Sequence, residues 1–87
     1  MKRANIYKIN SNDFIEYLLV TDELNKKFQI YKKNETLPIS YGYLSNNTIT
    51  ILDIKTNQPI EYLRINNNTL VFLDKETGEA IKNGSFL

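Results

Sequence analysis

Apolar and polar residues alternate along most of this chain, and the alternation restarts at regular intervals. A period of two places successive side chains on opposite faces of a strand. Three stretches align without gaps at an offset of 21 residues: NKKFQIYKKNETLPISY from Asn25, NNTITILDIKTNQPIEY from Asn46 and NNTLVFLDKETGEAIKN from Asn67. The second and third share Asn-Asn-Thr, Leu-Asp, a Thr and an Ile in register, and the first and second share Pro-Ile-x-Tyr. Self-similarity at a fixed period indicates one supersecondary unit used several times.

Each unit reads as an apolar strand, a polar turn and a returning strand, which is a β-hairpin. The turns fall at Lys33-Asn34-Glu35, Lys55-Thr56-Asn57 and Glu76-Thr77-Gly78, and short Asn-rich joints at Ser45-Asn46-Asn47 and Asn66-Asn67-Asn68 link the units. Asn57 and Gly78 align, and both residue types accept the left-handed backbone that short hairpin loops need. The units occupy residues 25–45, 46–66 and 67–87, preceded by a divergent unit over 1–24, and together they make a single domain of residues 1–87.

In the divergent unit, Ile6-Tyr7-Lys8-Ile9 reads as a strand that turns at Asn10 to Asp13. Two local structures compete for the segment that follows. Asp13 and Glu16 form a capping box for a short helix over 13–24, whereas Ile15, Tyr17, Val20 and Thr21 favour a returning strand from Phe14 to Val20. The strand fits the repeat and is the preferred reading. The resulting fold class is all-β: an antiparallel up-and-down meander of about six to eight short strands, closed as a small barrel or left as a curled sheet. The hairpin LDKETGEAI resembles the strand pairs of quinoprotein-type β-propeller blades. Eighty-seven residues are too few to close a propeller, and no functional residue is carried over from that resemblance.

Sorting the strands by parity assigns Phe28, Ile30, Ile39, Tyr41, Ile49, Ile51, Ile60, Tyr62, Leu70 and Phe72 to an inner face. Opposite the first strand stand Lys27, Gln29, Tyr31 and Lys33, a solvated face. Opposite the later strands stand Leu52, Ile54, Leu63, Ile65, Val71 and Leu73, so the C-terminal half of the sheet is apolar on both sides. Either the domain folds over that second face, or a partner covers it. These six residues are the candidate protein-binding site, the partner being another protein or a second copy of the chain.

Composition narrows the chemistry further. The chain has no His and no Cys, so it lacks the usual general base near neutral pH, the commonest nitrogen metal ligand, and a thiol nucleophile. With only three glycines no glycine-rich phosphate loop can be built. Asp53 and Asp74 occupy equivalent repeat positions and read as turn residues bonded to backbone rather than as a catalytic pair. No cofactor, no metal site and no enzymatic activity are expected.

Eleven basic against ten acidic residues give a net charge of +1, too weak a field to point to nucleic acid or an anionic membrane. Lys26, Lys27, Lys32 and Lys33 around Tyr31 form an alternative nucleic-acid surface, in which the ring stacks on a base and the ammonium groups meet phosphates. Lysines on an edge strand serve equally to block aggregation. The absence of an apolar leader or spanning segment points to a cytoplasmic protein. Asn, Ile, Lys and Tyr, residues with A/T-rich codons, fill 38 of 87 positions, which points to an AT-rich bacterial, phage or mobile-element gene. The functional expectation is a non-catalytic protein-binding module, a phage- or mobile-element-encoded inhibitor that occupies a surface of a host protein; a carrier of a small apolar ligand is the alternative.

Overall fold

The computed structural model describes residues 2–87. Eight strands run in chain order: β1 (Arg3–Lys8), β2 (Phe14–Asp22), β3 (Lys27–Lys32), β4 (Pro38–Ser45), β5 (Thr48–Asp53), β6 (Pro59–Asn66), β7 (Thr69–Asp74) and β8 (Ala80–Phe86). Each pairs antiparallel with the next, and β8 pairs back onto β1, closing an up-and-down barrel. The all-β, meandering architecture read from the repeat is therefore what forms, in its closed version. Phe14–Asp22 is a strand, and no helix occurs among the described residues, so none is long and apolar enough to cross a membrane.

Local chemistry dictates the turns. Asp53 Oδ2 accepts from the backbone N–H groups of Lys55 and Thr56 at 3.0 Å each, and Asp74 Oδ2 accepts from those of Glu76 and Thr77 at 2.9 Å each. The hydroxyls of Thr56 and Thr77 then accept from the N–H groups of Gln58 and Glu79. The two loops are copies of one design. Each passes through one left-handed residue, Asn57 at φ 59° and Gly78 at φ 74°. The joint between β4 and β5 uses two successive left-handed residues, Asn46 at φ 52° and Asn47 at φ 64°, as a tight hairpin turn with the right-handed twist of its strands requires.

The barrel interior is filled by its own side chains. Odd strands contribute Ala4 and Ile6, Phe28 and Ile30, Ile49 and Ile51, and Leu70 and Phe72, all buried. Even strands contribute the registered partners: Leu18 on β2, Gly42 on β4, Leu63 on β6 and Gly84 on β8. Large and small thus alternate around the even strands. At the two glycines the neighbouring strand leaves no room for a side chain, since a Cβ on Gly84 would strike the backbone oxygen of Asn5 and one on Gly42 would lie 2.7 Å from that of Thr50.

Every hairpin carries a β-bulge at the same place. Its unpaired residue is Ile15 in the first hairpin, Ile39 in the second, Ile60 in the third and Ile81 in the fourth. The carbonyls of Ile15, Ile39 and Ile60 accept from the N–H groups of Lys33, Ile54 and Lys75, tying each hairpin to the next.

The bulges correct the face assignment of the returning strands. Ile39, Tyr41, Ile60 and Tyr62 were expected inside, but register pairs Ser40 and Gly42 with the inward Ile30 and Phe28, and Glu61 and Leu63 with the inward Ile51 and Ile49. Tyr41 and Tyr62 therefore stand outside, and Ile39 and Ile60 sit at the rim. Leu63, expected outside, is only 3% exposed in the interior. One extra residue per hairpin inverts the parity of everything beyond it.

Candidate functional site

Two regions of the surface carry more than solvation requires: the outer wall of β4–β7, and the barrel mouth ringed by the hairpin loops.

On the outer wall, cross-strand register aligns Tyr43, Thr50, Tyr62 and Leu73 in one row and Tyr41 with Leu52 in the next. Val71 lies two residues along β7 from Leu73, opposite Arg64. The residues are half-buried, except that Arg64 is exposed and Tyr43 is 44% exposed. At the far end this wall meets a groove of about 760 Å³ whose lining includes Leu44, Tyr62, Arg64, Ile65 and Leu73. The Tyr41 hydroxyl donates to Asn57 Oδ1 at 2.9 Å, which fixes that ring against the β5–β6 loop.

The six apolar residues singled out from sequence are thereby divided. Leu52, Val71 and Leu73 share the outer wall. Ile65 has inward register at the barrel end away from the hairpin loops, where it is 37% exposed. Ile54 follows β5 in a hairpin loop and is 38% exposed, and Leu63 belongs to the core. The tyrosines of the same wall escaped sequence reasoning because parity counted across an unseen bulge had placed Tyr41 and Tyr62 inside.

The basic cluster is also divided. Lys26 and Lys27 stand at one end of β3, Lys32 and Lys33 at the other. Tyr31 is 9% exposed, stacked on Tyr17 with ring centroids 4.9 Å apart and planes 6° from parallel. The Arg3 guanidinium lies 4.3 Å from the Tyr17 ring. The aromatic platform is thus engaged within the protein.

At the mouth, the residues that follow the bulge isoleucines point inward: Glu16, Ser40, Glu61 and Lys82. Lys82 Nζ donates to Glu16 Oε1 at 2.8 Å and to Glu61 Oε1 at 3.2 Å. The side chains are 14% exposed for Lys82, 15% for Glu16 and 7% for Glu61. Glu61 Oε2 lies 2.9 Å from the same ammonium, so both oxygens of this carboxylate face Lys82. A depression of about 900 Å³ opens above this triad, lined also by Leu37, Ile39, Ile54, Ile60 and Ile81. The triad was missed in the sequence although a signal existed, because Ser40, Glu61 and Lys82 form one column of the 21-residue repeat.

Burial and hydrogen bonding shift few groups. The carboxyl of Asp53 is held below its ordinary value by the N–H groups of Thr56 and Lys55, and that of Asp74 by the N–H groups of Thr77 and Glu76. Asp22 is lowered by the side-chain amide and backbone N–H of Asn25. All three carboxylates are spent on turns, and no group of three or more metal-ligating side chains assembles among the described residues. Compared with known proteins, the chain matches no family model, no curated protein and no solved structure.

Proposed function

We propose that this protein is a non-catalytic protein-binding module whose docking surface is the outer wall of β4–β7. The observation that carries the reading is the row Tyr43–Thr50–Tyr62–Leu73, which crosses four adjacent strands of a closed barrel. Tyrosine supplies large contact area with few torsions to freeze, and it is enriched where binding energy concentrates. A closed barrel offers no free strand edge, so recognition by strand addition is blocked and side chains must do the binding.

A rigid surface held by eight paired strands loses little entropy on association. That suits an inhibitor acting by occlusion, and the A/T-rich residue usage suits a phage or mobile-element source. The partner is a protein surface with apolar area and acceptors for the tyrosine hydroxyls.

The test is affinity capture from the native cell, paired with native mass measurement of the protein alone and of two variants. Tyr62→Ala and Leu73→Asp should keep the barrel's circular dichroism and lose the association, each weakening it by about 2 kcal/mol or more. If the protein is a monomer without a recovered partner, and Leu52→Asp and Val71→Asp both unfold it, the wall is structural and the reading fails.

A further inference from the structure

We propose that copies of this chain associate end to end, the barrel end with the Asn-rich joints of one copy seating on the hairpin-loop end of the next. The contact lies apart from the outer wall and stands whether or not that wall binds a protein.

Charge is the first observation. Antiparallel closure puts the turns after β2, β4 and β6 at one end of the barrel, with the start of β1, and the hairpin loops at the other. Of the eleven basic and ten acidic residues, Lys2, Arg3, Lys26, Lys27 and Arg64 fall in the joint half, against only Asp22 and Glu23. That half has a side-chain excess of three positive charges, and the other half, with six basic and eight acidic residues, an excess of two negative ones. The net charge of +1 conceals this division, which arises only when the meander folds strand against strand. Among the described residues, the exposed Lys26, Lys27 and Arg64 at one end and Glu35, Glu76 and Glu79 at the other enter no ion pair. Stacking two copies in the same direction brings these opposite charges together.

Apolar exposure follows the same axis. Apart from Tyr43 on the outer wall, every exposed large apolar side chain among the described residues lies at an end: Leu24, Leu44, Ile65 and Leu87 with the joints, Leu37, Ile54 and Ile60 with the loops. Leu24, 89% exposed, stands in the β2–β3 turn two residues before Lys26. The loop end is hollow, with a depression of about 900 Å³ whose lining includes Leu37, Ile54 and Ile60. A protruding apolar turn thus faces an apolar-collared hollow of opposite charge.

The area suffices. The barrel measures 31 × 31 × 29 Å, so an end contact about 30 Å across covers about 700 Å² per copy and about 1,400 Å² in all, within the range of specific interfaces. An anionic lipid surface would engage the joint end alone and leave the apolar collar of the loop end open. Joining like ends sets like charges against each other. The contact is therefore heterologous, and because each copy carries both surfaces it propagates beyond a dimer.

Sedimentation velocity of the full-length chain is the test. The mean mass should rise with protein concentration past that of a dimer, and association should weaken at least about tenfold between about 20 mM and about 500 mM salt. Leu24→Glu with Lys26→Asn blocks the joint end, Asn suiting the left-handed backbone of Lys26 at φ 51°. Leu37→Lys with Glu76→Lys blocks the loop end. Each blocked variant alone should be monomeric, and an equal mixture of the two should form dimers and nothing larger. The wall variant Tyr62→Ala should assemble like wild type. Lys27→Glu and Glu79→Lys take the place of a blocked variant that fails to fold. A wild-type monomer at about 1 mM in low salt, assembly that survives in either blocked variant, or a monomer that sediments instead with phosphatidylglycerol vesicles would overturn the proposal.

Discussion

Lys82 and Glu61 stand 21 residues apart, one repeat length, and meet across β7 with the ammonium 2.9 Å from the carboxylate. Between them runs Phe72, whose ring centre is 4.9 Å from the same nitrogen. Equivalent positions of successive hairpins thus carry opposite charges that pair inside the barrel, so the repeat has diverged in a mutually compensating way.

Removing the cation alone should be costly. Lys82→Met leaves two mostly buried carboxylates facing each other and is expected to destabilise the barrel by about 3 kcal/mol, the low end for a broken buried pair because the triad is partly wetted. The triple variant Glu16→Leu, Glu61→Leu, Lys82→Met should return to within about 1 kcal/mol of wild type or exceed it. Urea denaturation of the two variants checks both statements. A silent Lys82→Met would show that water already solvates the carboxylates.

The turn carboxylates make stability depend on acid. Asp53 and Asp74 have folded pKa values below the ordinary 3.8. Their contribution is complete above that ordinary value and is lost as pH falls through the lowered folded one. The urea midpoint should therefore fall as pH drops below about 4. In Asp53→Asn, Asp74→Asn the turns keep a side-chain acceptor, and the fall should be shallower. A parallel decline in the variant would remove these two groups as its cause.

Two glycines should fail for different reasons. Gly84 has no room, since an added Cβ meets the Asn5 backbone oxygen, so Gly84→Ala should cost about 3 kcal/mol and lower the melting temperature by roughly 10 °C or more. Gly78 has nothing within 4 Å but sits at φ +74°, so Gly78→Ala should cost about 1 kcal/mol through the backbone alone. Gly78→Asn should recover most of that loss, because Asn57 already holds the equivalent position at φ 59°. Thermal melts of the three variants decide it. Rescue of Gly84→Ala by trimming a neighbouring side chain would contradict the backbone clash.

The same positions explain what could be read from the chain. The repeat, the turns and the inward residues of odd strands, such as Ile30, Ile51 and Phe72, follow from alternation and turn chemistry, which are local. The even strands do not. Ranking by hydrophobicity puts Ile60 and Tyr62 inside and Glu61 outside, whereas the fold does the reverse. The cause is a single unpaired residue in each hairpin and the close approach of the neighbouring strands, Thr50 and Ile51 beside Gly42 and Asn5 beside Gly84, which leaves no room for a side chain at either position. The outer wall was half legible for that reason: Leu52, Val71 and Leu73 were found, and their tyrosine neighbours were not.

The junction between β1 and β8 is built like the other strand pairings, with Leu87 N donating to Arg3 O at 2.9 Å and Ala4 opposite Phe86. The ring is thus closed by backbone pairing at this junction as at the others. A circular permutant that links residue 87 to residue 2 and opens the chain between Asn46 and Asn47 keeps every interstrand pairing. In the natural order, by contrast, the earliest strand to be synthesised must wait for the last before its second edge is capped. Until then β1 and β8 are two sticky margins on an open sheet, and folding is set by how soon a separation of some eighty residues is bridged. Moving the break to Asn46–Asn47 makes the old ends neighbours in sequence and hands that late closure to β4 and β5.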